Sequence, residues 1–149
     1  MPEQEKFAWA SLIASVLVWA YFAMRMTDGG GVVEVAARHM IFSYVMMVVM
    51  MVVSHAVIAL MLAAGRRGQV ISDERDLAIE ARAERVEGYV VAVLVNVLVI
   101  QALAEAAFTG HLLPRFDLGS VPTLAFALIT TLFAGHVAKQ LATLWQYRA

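Results

Sequence analysis

The chain has 149 residues, of which 62% are hydrophobic, and its mean hydropathy is +0.76. Soluble domains use about 45–50% apolar residues, so the hydrocarbon of a bilayer is the expected solvent. Eleven basic against twelve acidic residues leave a net charge of −1, which offers no basic field for nucleic acid. The lack of cysteine excludes disulfides, thiolate nucleophiles and cysteine-held zinc or iron–sulfur centres.

A helix crossing hydrocarbon needs about 20 mainly apolar residues, because no water is there to satisfy an open backbone. Four segments qualify, at 7–26, 37–64, 88–108 and 120–145. The first follows "MPEQEK", with two acids against one lysine and no small-residue cleavage site after the apolar run. It is therefore expected to be a retained helix rather than a signal peptide. Within it, "SLIAS" from Ser11 to Ser15 presents small residues on which a second copy could pack closely, so a homodimer is expected.

The second span is rich in methionine. Met47, Met51 and His55 share one helical stripe, where thioether and imidazole would suit Cu(I), and where adaptable packing is the ordinary alternative. "GRRGQ" then ends the helix in a turn at the membrane surface.

Between Arg66 and Glu87 lie eleven of the 23 charged residues. Ser72 or Asp73 can cap a helix there, with Asp73, Glu74 and Asp76 in its first turn at the positive end of the dipole. No proline follows before Phe108, so a charged helix at 73–87 should run on into the third span as one element of about 36 residues, ~54 Å long. Its charges sort by face. Asp76, Glu80, Glu84 and Glu87 make an acidic stripe; Arg75, Arg82 and Arg85 lie on another face; Ile79, Ala83, Val86 and Val90 form an apolar line. Arg75, Arg82, Arg85, Asp76, Glu80 and Glu84 are the expected partner-binding residues, against the plainer alternative of a solvated face that only fixes topology.

Asp73-Glu74-Arg75, followed by Ile79 and Ala83 and leading into a membrane span, resembles the DERxxxIxxxA signature of a family of small bacterial and archaeal integral membrane proteins of unknown function. The resemblance covers the second half of the loop and the start of the third span. It implies a multi-span membrane protein with no assigned reaction and a cytoplasmic partner for this helix.

In the third span, Asn96, Gln101 and Glu105 form a polar track toward the outer side, where Glu105 could meet Arg38, His39 or His111. A small transporter would use such a track, and an interhelical hydrogen-bond seam would equally explain it. The fourth span starts with Ser120 as cap and Pro122 in the first turn. It carries His136 at the same expected depth as His55, about four residues past the middle of each span. An ionisable group inside a span is costly and marks a functional candidate. Two histidines at one level could ligate a b-type haem or a metal ion. Alternatively, each could bond to Ser43, Ser54, Thr130 or Thr131 as helix glue.

Orientation follows the basic residues. With the termini inside, Lys6, Arg66, Arg67, Arg75, Arg82, Arg85, Lys139 and Arg148 lie on the inner side, and only Arg25, Arg38 and Arg115 on the outer. No zinc-protease, Walker or nucleophile-elbow motif is present. The expectation is an all-α, polytopic four-helix protein of the bacterial inner membrane. Both termini would be cytoplasmic and the third helix extended into the cytoplasm. Its expected role is non-enzymatic and without cofactor. It would act through contact with a second copy or another cytoplasmic-side protein, with haem or metal binding and small-solute transport as alternatives.

Overall fold

The computed structural model of the protein describes residues 3–27, 37–64, 74–107 and 118–148. Nearly all of them are helical, in four elements: α1 (Glu3–Met26), α2 (Ala37–Ala64), α3 (Glu74–Ala107) and α4 (Val121–Arg148). All four are long and apolar enough to cross a membrane. Valine-rich runs in α2 and α3 would favour strands in water. In hydrocarbon only a helix satisfies every backbone group within its own segment, and that constraint outweighs the propensity.

The boundaries differ from expectation in an informative way. α1 begins at Glu3 and α4 continues to Arg148, each beyond its apolar run. Polar residues at these ends pack on one another, as described below, so the helices continue past the point where hydropathy stops. α3 is one uninterrupted helix of 34 residues, ~51 Å at the usual rise. Its first described residue is Glu74; the caps expected at Ser72 or Asp73, and the turn at Arg66 and Arg67, lie outside the described residues. At the start of α4 the expectation holds. The Ser120 carbonyl accepts the Leu124 N–H at 3.0 Å, the Thr123 hydroxyl donates to Ser120 Oγ at 3.4 Å, and Pro122 falls in the first turn.

α1 packs against α2 on one side and α4 on the other, and α4 packs against α3. The spatial order is therefore α2–α1–α4–α3, with the first and last helices in the middle. The spans of α1 and α4 are 28% and 33% buried inside the protein, against 6% for α2 and for α3, whose apolar side chains such as Leu60, Met61, Val93 and Leu103 face outward. An exposed apolar surface of this extent suits lipid rather than water.

Val18, Phe22, Met26, Met47, Phe126 and Phe133 form the core. Phe22 and Phe126 stack with centroids 5.9 Å apart, and Trp19 Nε1 donates to Thr130 Oγ1 at 3.3 Å. Ser11 and Ser15 have no exposed surface. The small-residue face expected to receive a second copy is thus inside the chain's own bundle, where it lets α2 and α4 come close to α1.

On the far side of α4, buried Gly135 performs the same service for α3. A Cβ there would collide with Val91 Cγ2.

Candidate functional site

The buried serines of α1 lie one helical turn apart and point to where α2 and α4 meet. Ser11 Oγ lies 2.7 Å from His55 Nε2 and 3.3 Å from His136 Nε2. The two imidazole centroids are 5.4 Å apart with the rings at 73°. The expectation that both histidines share a depth is met, and more: residues from three helices converge on one hydroxyl.

Proton placement follows from the partners. His55 Nδ1 is 2.9 Å from the Met51 carbonyl, which can only accept, so the proton of the neutral ring sits on Nδ1 and Nε2 is bare. The Ser11 hydroxyl therefore donates to His55 Nε2, at a distance typical of a good hydrogen bond. His136 is held more loosely, 3.3 Å from Ser11 Oγ and 3.3 Å from the Gln140 side-chain amide. Phe7 meets the His55 ring edge-on at 6.4 Å.

Both histidines line a cavity of about 560 Å³. It lies where α1 begins and where α2 and α4 end, and Gln4, Glu80, Lys139 and Thr143 also line it. The volume is in the range of small-molecule sites, about 300–1,000 Å³. Ser11 and His55 have the reach of a nucleophile and its base. Ser11, however, is wholly buried and is not among the cavity's lining residues.

Beside the cavity the acidic stripe of α3 turns toward α4. Asp76 Oδ1 accepts the Tyr147 hydroxyl at 2.6 Å, and Gln4 Oε1 lies 2.8 Å from the Tyr147 hydroxyl oxygen, joining α1, α3 and α4. Lys139 Nζ is 3.2 Å from Glu84 Oε1 and 3.9 Å from Glu87 Oε2. Ile79 and Ala83, the two apolar positions of the DERxxxIxxxA pattern, are buried; Asp73 lies outside the described residues. The expected partner-binding residues therefore separate. Asp76 and Glu84 are engaged within the chain and Glu80 borders the cavity. Arg75, Arg82 and Arg85 are exposed, with Arg85 Nε donating to its own helix at the Ala81 carbonyl, 3.2 Å away.

The polar track of the third span divides likewise. Gln101 Nε2 donates to Glu105 Oε1 at 2.6 Å, and Glu105 Oε2 accepts the Leu118 N–H at 3.1 Å, tying the end of α3 to the segment before α4. Asn96 is exposed and donates to its own helix at the Ala92 carbonyl, 2.8 Å away, so it does not join them. His111 and the side chains of Arg38 and His39 lie outside the described residues.

Sequence reasoning placed the histidines together but missed Ser11 and Gln140. The signals were there: Ser11 and Ser15 at a four-residue spacing, and Gln140 four residues after His136. No family model, curated protein or solved structure matches the chain.

Proposed function

We propose that the chain is a non-enzymatic, multi-pass protein of the bacterial inner membrane that receives a small ligand from the cytoplasm in the cavity floored by His55 and His136. The observation that carries this reading is the convergence of two imidazoles on a cavity of about 560 Å³ that polar and apolar side chains line together. Ionisable side chains within spans are costly, and here two from different helices are spent at one point. The distribution of basic residues puts both termini, and hence the mouth of the cavity, on the cytoplasmic side. In that frame α3, ~51 Å long against a hydrocarbon core of about 30 Å, reaches into the cytoplasm through its charged first turns.

The test uses the absence of native cysteine. Thr143→Cys places a single thiol on the cavity wall, and Val121→Cys places one at the opposite end of α4. A membrane-impermeant maleimide should label the first only in inside-out vesicles and the second only in right-side-out ones. A thiol at 143 that reacts from neither side, or from the outside, refutes the cavity reading.

A second reading rests on the exposed arginine face. With Asp76 and Glu84 engaged by α4, the exposed Arg75, Arg82 and Arg85 would meet an acidic protein surface, or a second copy, at the cytoplasmic side. Reversing all three charges should abolish capture of such a partner without loss of membrane insertion. Capture that persists leaves the arginines as a topology signal only.

A further inference from the structure

His55 Nε2 and His136 Nε2 face one point, which Ser11 Oγ fills. We infer that this point is a Cu(I) site, held by His55 Nε2, His136 Nε2 and the Met51 thioether; the inference rests on the cavity reading above.

The donor set decides the metal. Among the described residues no group of three or more His, Cys, Asp or Glu is placed to hold an ion, so the four-ligand set of a structural zinc site is lacking. Two imidazoles and a thioether are soft to borderline donors, which select Cu(I) among first-row ions. The ligands are also prepared for it. His55 keeps its proton on Nδ1, against the Met51 carbonyl at 2.9 Å, so Nε2 presents its lone pair; a backbone carbonyl on the second nitrogen is the usual support for a metal-binding histidine. The contacts of His136 Nε2 are both 3.3 Å, longer than the usual 2.9–3.0 Å or so, and are easily exchanged for an ion.

Met51 lies one turn from His55 on the same face, its sulfur 3.9 Å from Ser15 Oγ. It borders a second space of about 250 Å³ that His136 and Met47 also line. Three rotatable bonds let the sulfur swing there, toward the His136 imidazole. For an ion to sit between the rings, the Ser11 hydroxyl must turn to another side-chain rotamer. The way in is the cavity, since both histidines border it.

The test is anaerobic titration of the full chain in detergent with Cu(I), in competition with bicinchoninate, and with Zn²⁺ run in parallel. One Cu(I) per chain is expected, not displaced by an equal concentration of Zn²⁺. His136→Gln and the volume-conserving Met51→Leu should each weaken binding by about 10–100-fold, the loss that even outer-shell changes bring at metal sites. Ser11→Ala, which removes the competing hydroxyl, should leave binding equal or tighter. X-ray absorption at the copper edge should show nitrogen and sulfur neighbours. Binding indifferent to Met51→Leu and His136→Gln, or Zn²⁺ bound as tightly as Cu(I), overturns the assignment. If the wild-type chain retains no copper while the thiol at 143 is still labelled from the inside, the copper site falls and the cavity stands. If that labelling fails as well, both fall.

Discussion

Gly135→Ala should change the sign of its effect according to what stands opposite. Replacing a glycine in a helix interior by alanine ordinarily stabilises by roughly 0.5–1 kcal/mol, through the lost freedom of the unfolded chain. Here the new Cβ falls on Val91 Cγ2, while Glu87 Cγ and the Glu87 carbonyl at 3.5 Å are in ordinary contact. Valine is stiff at χ1 and cannot swing aside, so α3 must retreat from α4. Overpacking of this kind costs about 1–3 kcal/mol, which leaves a net loss of up to roughly 2.5 kcal/mol after the propensity gain. Truncating Val91 to alanine removes the colliding methyl, and in that background the same Gly135→Ala should stabilise. The assay is reversible unfolding of the four variants of the cycle in mixed detergent micelles, followed by helical circular dichroism. A coupling of about 1–3 kcal/mol is expected. If Gly135→Ala has the same sign and size in both backgrounds, α3 and α4 do not meet at this glycine. His136 is the next residue, so the same variant should also disturb the histidine pair.

Two further outcomes follow from the packing. Tyr147→Phe removes the hydroxyl that meets Asp76 at 2.6 Å and Gln4 at 2.8 Å, near an end of the bundle where water can replace it; a loss of about 1 kcal/mol in the same assay is expected. Phe22→Ala empties a site that is 2% exposed and stacked on Phe126, and should cost about 3 kcal/mol, far more than Leu17→Ala on the exposed face of the same helix.

The four helices were legible because the bilayer restricts the backbone to one answer over any long apolar run. The matched depth of His55 and His136 was legible too, since helical rise converts residue count into height. The identity of their partner was not. Ser11 read as a surface for a second copy because periodicity shows that a helix has a small-residue face and not which neighbour occupies it. The stripes of α3 were likewise visible as stripes, but their division into acids turned inward and arginines left outward depends on Lys139 and Tyr147 of α4, which sit more than 50 residues away. Asn96 was misjudged for a local reason: five residues from Gln101, it bonds its own helix and shares no face with the Gln101–Glu105 pair.

The order α2–α1–α4–α3 has a consequence for assembly. α3 has no extensive neighbour except α4, and Ser11 is separated from His136 by 125 positions. During synthesis α1 and α2 can pair as soon as they enter the membrane, but α3 must remain unaccompanied in lipid until α4 arrives. The histidine pair comes into being at that moment, when α4 slots between helices already in place. Formation of the pair thus requires all four helices, and a chain truncated before α4 would hold His55 without His136, on a two-helix hairpin beside an unpaired third helix.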